Sequence, residues 1–318
     1  MLDMKLIIQI PCYNEAATLP ATLAALPRTV PGFDTVEVLI VDDGSDDDTA
    51  GVAAQHGADH VVRFAANRGL AAAFKAGLDA ALERGADVIV NTDADNQYPA
   101  EMIPALAKPI LDGHADVVVG VRDIEAIDHF SPAKKRLQRM GSWVVRQFSG
   151  LNVADATSGF RALSRRAALR MNVITRYTYT LETLIQAGRQ NLAVVTVPVT
   201  ANPKTRDSRL IRSTPQYIWR SAVTILRIFV TYSPLKVLGT IGGLFFGLGT
   251  LIGLRFLYYY LAAGGVGHVQ SLILAAILLI IGFQVGVLGV IADLSATNRL
   301  LLEEILARAR DRRQGDGE

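Results

Sequence analysis

One stretch, residues 87–99 (DVIVNTDADNQYP), constrains the fold more than any other. Val88, Ile89 and Val90 are β-branched and apolar, which suits a strand covered on both faces in a parallel sheet. The hydrophobic run then breaks into Asn91, Thr92, Asp93, Ala94 and Asp95. In open α/β sheets ligands bind at this C-terminal edge, because the loops there are free to carry polar groups. Asp93 and Asp95 alternate along an extended chain, so one backbone turn brings both carboxylates to a common ion, and Gln97 adds an oxygen at the same spacing. Hard oxygen donors suit Mg²⁺ or Mn²⁺, and Mg²⁺ is typically held by one or two carboxylates plus substrate phosphates. The same letters also suit a solvated turn, since Asp and Asn favour turns.

The rest of the N-terminal two thirds repeats that pattern. Strands are expected at residues 5–10, 36–41, 59–64, 115–120 and 193–199, with helices over 16–26, 46–54 and 68–84. Acidic turns follow the first, second and fourth strands, and Ser45 or Asp46 is the expected N-cap of the second helix. Alternation of strand and helix predicts a mainly parallel, doubly wound, Rossmann-like α/β sheet with one polar edge. Three acidic turns on one edge are harder to explain as solvent-facing loops than one is.

Five segments occur in order: PCYNE at 11–15, VDDGSDDDT at 41–49, NRGLAAAFKAG at 67–77, DADNQYP at 93–99 and DATSGFRAL at 155–163. As an ordered set they resemble the family-two inverting glycosyltransferases of GT-A fold, and within them the polyprenyl-phosphate sugar synthases. The resemblance implies that Pro11, Tyr13, Glu15 and Asp43 hold the base and ribose of a UDP- or GDP-linked sugar. Asp42 has a weaker claim and otherwise orders its turn, and Tyr13 as simple edge packing stays open. Asp93, Ala94 and Asp95 would line the nucleotide sugar. Asp93, Asp95 and Gln97 would hold Mg²⁺ or Mn²⁺ on its diphosphate, with Asp95 counted as catalytic. Asp155 lies where the family places a catalytic base. A phosphate acceptor has a second pKa near ~6 and is already deprotonated at neutral pH, so Asp155 is either a base or a residue that orients Arg161 or the acceptor.

Residues 131–150 place Lys134, Lys135, Arg136, Arg139 and Arg146 among apolar residues at helical spacing, a basic amphipathic helix suited to an anionic membrane surface. Arg122, Arg139 and Ser142 are candidates for the acceptor phosphate. Lys204, Arg206 and Arg209 are further ones, although relatives end this segment in Gly-x-Ser-Lys-Leu and this chain has Arg206 and Arg209 at the Gly and Lys positions. Residues 215–230, with Arg220, Arg227 and Trp219, read as a second interfacial helix.

Half of the 318 residues are hydrophobic, and the excess lies in residues 237–292, where Arg255 is the one Lys, Arg, Asp or Glu. Residues 237–263 and 271–292 each meet the roughly 20-residue requirement for crossing a bilayer. Gly243 and Gly247 are spaced for close helix packing and a homo-oligomer through these helices is expected; Arg255 should snorkel or face protein. The connecting loop lacks Lys and Arg, whereas Arg299, Arg308, Arg310, Arg312 and Arg313 follow the second span, so the catalytic domain and both termini are expected to be cytoplasmic at the inner membrane. Expected domains are 1–210 (transferase), 211–234 (interfacial), 235–294 (two spans) and 295–318 (tail). A net charge of +2 implies no nucleic-acid partner, and a lone cysteine allows no intrachain disulfide. No signal peptide is expected, since the first apolar run meets Pro11 too soon.

The leading reading is transfer of one sugar to a polyprenyl phosphate. A processive polysaccharide synthase is the alternative, but the chain has Gln216, Trp219 and Arg220 in place of Gln-x-x-Arg-Trp, and two spans are too few for a pore. A non-enzymatic lipid-binding scaffold fits the intact acidic pairs less well.

Overall fold

The computed structural model describes residues 3–122, 132–173, 179–200, 202, 223, 227, 230–263 and 269–315. The chain divides into two compact units, Met1–Ala222 with Leu306–Glu318, and Val223–Ile305.

The first unit is built on a seven-stranded sheet in the order β3-β2-β1-β4-β6-β5-β7. Its strands are β1 (Lys5–Cys12), β2 (Thr35–Asp42), β3 (His60–Arg63), β4 (Val88–Asn91), β5 (Val117–Val121), β6 (Arg161–Ser164) and β7 (Val194–Pro198). Its helices are α1 (Leu19–Ala25), α2 (Thr49–Gln55), α3 (Leu70–Glu83), α4 (Ile103–Leu111), α5 (Pro132–Ser149), α6 (Arg165–Arg170) and α7 (Thr180–Arg189). Side chains alternate across a strand. Leu6, Ile8, Ile10, Val88 and Val90 therefore join one core with Leu19 and Leu23 of α1 and Ile103 and Leu106 of α4. Ile7, Leu39 and Ile89 are also fully buried, as are Phe74 and Leu78 on α3. Burial on both faces is why β1, β2 and β4 read as largely apolar runs.

The sheet is mainly parallel, as expected, with one strand reversed. β6 lies antiparallel between β4 and β5, with Arg161 opposite both Asn91 and Val119. Four residues, RALS, carry no signal of direction. The reversal matters, because the N-terminal end of β6 then meets the C-terminal ends of its neighbours, and the loop at 155–160 is delivered to the polar edge. α6 and α7 were likewise not anticipated. The N-cap of α2 is Asp48 rather than Ser45 or Asp46, and its side chain makes no capping bond. Ser45 is already committed to the amide of Asn14 at 2.9 Å.

In the second unit α8 (Pro234–Ala263) and α9 (Val269–Gly315) contain stretches long and apolar enough to cross a membrane, Pro234–Ala262 and Val269–Arg299. α9 runs unbroken past residue 294, so the boundary expected there is no break in secondary structure. The two helices approach through glycine. A Cβ on Gly242 would lie 2.8 Å from Gly282 O, and one on Gly249 would lie 3.0 Å from Leu278 Cβ. Gly243 and Gly247, the pair singled out by spacing, have nothing within 4 Å where a Cβ would be; the intrachain seam is one residue out of phase with that expectation. The Arg255 guanidinium lies 5.3 Å from the centroid of the Tyr259 ring, a cation–π contact on an apolar helix. Of the second expected interfacial helix, residues 223, 227 and 230 are described and helical.

Gly242→Ile should destabilise the hairpin of α8 and α9 by about 1–3 kcal/mol through overpacking, and by more than Gly243→Ile does, since a Cβ at 243 meets nothing within 4 Å. Thermal unfolding in detergent, followed for both variants, checks the difference.

Candidate active site

β1, β2 and β3 run to one side of the sheet and β4 begins the other, so the C-terminal ends of β1 and β4 form a topological switch point, where such sheets bind ligands. Two acidic loops meet there and are laced together. Asn14, at φ 56°, donates its amide to Ser45 Oγ (2.9 Å) and accepts from the Asp46 amide (2.8 Å). The Glu15 amide donates to Thr49 Oγ1 (2.8 Å), and the Ala16 amide to Asp47 Oδ2 (3.1 Å). Glu15 itself is buried and accepts from Thr18 Oγ1 at 2.5 Å.

Asp42 and Asp43 build walls. Asp42 is fully buried, accepts from the Ser45 amide at 2.9 Å, and its other oxygen lies 3.2 Å from Arg63 Nε. That second contact is a charge pairing rather than an aligned hydrogen bond. Asp43 takes the amides of Arg68 (2.7 Å) and Gly69 (2.9 Å), fixing the turn that opens α3. Burial pushes its carboxyl up, against those two donors. Both oxygens expected to meet base or ribose are thus engaged with backbone. Gly44 has φ 67°, and a Cβ there would sit 2.6 Å from Asn67 N, so only glycine lets the two loops close this tightly. Between them lies a cavity of about 570 Å³, bordered by Tyr13, Asp46, Arg63, Phe64 and Asn67 among others, a size ordinary for a small-molecule site. Tyr13 lines it with 38% of its surface exposed, which favours a ligand-facing role over edge packing. Pro11 is buried within β1. Arg63, Phe64 and Asn67 belong to the cavity and were not anticipated.

The loop after β4 forms the second half. Thr22 Oγ1 donates to Ala94 O at 2.8 Å, the Gln97 amide to Asp95 Oδ1 at 3.2 Å, and Asn202 Nδ2 to Asn96 O at 2.9 Å. Asn96 sits at φ 53°, which turns the chain just after Asp93 and Asp95. Burial, then the charge of Asp95, pushes the Asp93 carboxyl up to about 7, with Arg122 opposing. No hydrogen bond from the described residues reaches that carboxylate, and among them no three His, Cys, Asp or Glu side chains converge. The buried Asp93 carboxylate, crowded by the charge of Asp95, fits a divalent cation that takes its remaining oxygens from phosphates and water.

Gly159 packs beneath this pair, and a Cβ there would lie 3.1 Å from Asp93 Oδ1. A buried polar chain holds it: Gln9 Nε2 donates to Asn91 Oδ1 (2.9 Å), and Asn91 Nδ2 to Gly159 O (2.8 Å) and to Tyr179 Oη (2.9 Å). Gly159 N donates in turn to Tyr98 Oη at 3.3 Å. Gln9 and Asn91 stand out in retrospect as polar letters inside strands otherwise buried and apolar.

On the flank, Arg122 Nε donates to Asp155 Oδ2 (2.7 Å) and Thr157 Oγ1 to Asp155 Oδ1 (2.8 Å), while Arg122 stands 5.4 Å from the Tyr98 ring centroid. Asp155 is fully buried. It orients Arg122, not Arg161. Arg161 instead donates to Ser158 O, Thr180 O, Thr183 Oγ1 and Ala156 O, all at 2.7–2.8 Å. Ser142 is buried and gives its single hydroxyl proton to Ala154 O at 2.7 Å, leaving none for a phosphate. Arg139 is exposed on α5. Lys204, Arg206 and Arg209 lie outside the described residues.

The sheet and its polar edge define a GT-A fold. Glucosyl-3-phosphoglycerate synthase from Mycobacterium tuberculosis, solved with Mn²⁺, UDP and glucosyl-3-phosphoglycerate, superposes with a TM-score of 0.57 over 72% of this chain and 80% of its own, at 20% identity. Residues 7–171 match the model of glycosyl transferase family 2, and the chain belongs to that family. It is 33% identical to the undecaprenyl-phosphate mannosyltransferase of Micrococcus luteus over 62% of this chain and 83% of that one. To the undecaprenyl-phosphate 4-deoxy-4-formamido-L-arabinose transferase of Sodalis glossinidius it is 30% identical over 90% of this chain and 87% of that one.

The raised Asp93 carboxyl has a consequence for stability. The folded state binds its proton more tightly than the unfolded chain does, so cation-free protein should lose stability as pH rises from about 4 to about 7. Above that range the contribution is flat. Mn²⁺ or Mg²⁺ should restore the loss and Asp93→Asn should abolish the slope, both measurable by thermal unfolding between pH 5 and pH 8.

Proposed function

We propose that the protein transfers one sugar, with inversion, from a nucleotide diphosphate sugar to a polyprenyl phosphate. The observation that carries the acceptor class is the state of Asp155. Both its oxygens are engaged, by Arg122 and Thr157, in full burial, so it is poorly disposed to take a proton from an alcohol. A phosphate monoester needs no such base, because its second pKa of about 6 leaves it mostly dianionic at neutral pH. Arg122 is suited to hold it, since a guanidinium matches phosphate geometry. The named relatives, one aligned along nearly the whole chain, support the same class.

In this reading the cavity beside Tyr13 and Phe64 takes the nucleoside, and Asp93 and Asp95 face the diphosphate. A divalent cation held by them would offset the charge that builds on the departing diphosphate. The acceptor phosphate oxygen attacks the anomeric carbon from the opposite side. The bond to the diphosphate oxygen breaks as the new one forms, and the product is a sugar joined to the lipid by a phosphodiester. The protein's work is to align two anions that repel each other.

Asp93→Asn and Asp95→Asn should each lower transfer by about a hundredfold or more, on the scale of losing one electrostatic stabiliser of the transition state, and chelator should abolish it until Mn²⁺ or Mg²⁺ is returned. Asp155→Asn should raise the KM for polyprenyl phosphate about tenfold, the scale of one charged hydrogen bond, with the donor KM little changed. Radiolabel transfer from a panel of nucleotide sugars into extractable lipid measures each. Release of the label by mild acid as a single sugar is expected; an acid-resistant polymer would overturn the reading.

We further propose a multi-pass protein of the inner membrane, with the catalytic unit and both termini cytoplasmic and with copies packing through Gly243 and Gly247. Arginine placement supports the orientation, and the open surface over those glycines supports the packing. A reporter after Glu318 should read cytoplasmic and one near Gly265 the opposite face. Gly243→Ile should lower the oligomer mass in detergent; both reporters on one side, or an unchanged mass, would refute the respective half.

A further inference from the structure

Gln9 of β1 and Asn91 of β4 are register partners in the sheet, and both are fully buried. Polar groups at such a place cost stability unless every donor and acceptor is matched. Gln9 Oε1 has no hydrogen-bond partner among the described residues. Helix α3 passes over it at Gly77, where a Cβ would lie 2.5 Å from that oxygen. An apolar pair of similar shape would pack here without the cost. The exception points to a task.

The direction of the polar chain is fixed at one end. Gly159 O can only accept, so Asn91 must show it the amide nitrogen, at 2.8 Å. Asn91 Oδ1 then faces β1, and Gln9 answers with Nε2 at 2.9 Å. The second amide proton of Asn91 goes to Tyr179 Oη, also at 2.9 Å. Tyr179, at the N-cap of α7, is thereby an acceptor for Asn91 and keeps its own proton to give. Its ring stacks on Phe74 with centroids 3.8 Å apart, and its carbonyl accepts from Thr183 Oγ1 at 2.8 Å. The acceptor within reach of the phenol is Gly159 O at 3.4 Å, already taken by Asn91. The Asp93 carboxylate stands across the same glycine. From the point where a Cβ of Gly159 would be, Tyr179 Oη is 2.9 Å away and Asp93 Oδ1 3.1 Å. Burial, then the charge of Asp93, pushes the phenol well above its ordinary range, so the hydroxyl stays protonated.

We infer that Tyr179 is a positioning residue for Asp93: its phenol proton, aimed by the relay of Gln9 and Asn91, orients the carboxylate for a divalent cation on the other side. Carboxylates that bind metal are themselves held by hydrogen bonds from behind. Glycine at 159 keeps the space between phenol and carboxylate open. The inference rests on Asp93 holding the cation as proposed above.

Tyr179→Phe removes the hydroxyl and keeps the stack on Phe74. Binding of Mn²⁺ to the full-length protein in detergent, with UDP or GDP present, is read from the electron paramagnetic resonance signal of free Mn²⁺, so no transfer is needed. The dissociation constant should rise about tenfold in Tyr179→Phe, the scale of losing a partner behind a metal ligand. Gly159→Ala puts a methyl between the two groups and should weaken Mn²⁺ binding as well. The double variant should bind no more weakly than the worse single one, because both changes remove the same contact. A residue that only packs α7 would lower the melting temperature and leave the dissociation constant of the folded protein unchanged. That result in Tyr179→Phe, or additive losses in the double variant, would overturn the positioning role alone. Wild-type protein that takes up no Mn²⁺ with either nucleotide would remove the metal assignment itself, and the positioning role with it.

Discussion

The buried guanidinium of Arg161 is the fixture on which the site depends. Its donors reach the loop before β6 at Ala156 and Ser158 and helix α7 at Thr180 and Thr183. A buried charge is tolerable only when its donors are matched, and here the matching partners are the segments that must be held still. With that loop pinned, Gly159 lies against Asp93 and Asp155 lies against Arg122. Asp93, Asp155 and Arg122 are thereby referred to one rigid centre.

The central strands β1, β2 and β4 were legible because they are largely buried on both faces and bounded by turns, and their C-terminal edge could be placed from the acidic letters that end them. The antiparallel β6 was not legible. Direction within a sheet is decided by how a strand pairs, and RALS pairs through its backbone with β4 and β5. The placement of the acids was legible in part. Asp93 and Asp95 lie where the alternation put them, whereas Asp43 and Asp155 are turned toward backbone amides and an arginine by partners tens of residues away. Ser142 shows the same limit, since a hydroxyl on a basic helix reads as a phosphate ligand until its proton is seen to be spent.

The second unit shows that spacing alone does not say which helix a glycine face meets. Gly243 and Gly247 satisfy the small-xxx-small pattern, yet the close approach runs along Gly242 and Gly249 against Gly282 and Leu278. One residue is a rotation of about 100° on a helix, enough to turn an intrachain seam into an outward one.

The division of duties in the β1–β2 cavity has a wider consequence. Asp42 and Asp43 hold the loops that wall this cavity, while Tyr13 and the short segment around Phe64 and Asn67 line it. That segment contributes no carboxylate to the Asp93–Asp95 centre. The cavity and the Asp93–Asp95 centre therefore sit on separate pieces of chain, so a change in the lining of the first need not move the carboxylates of the second.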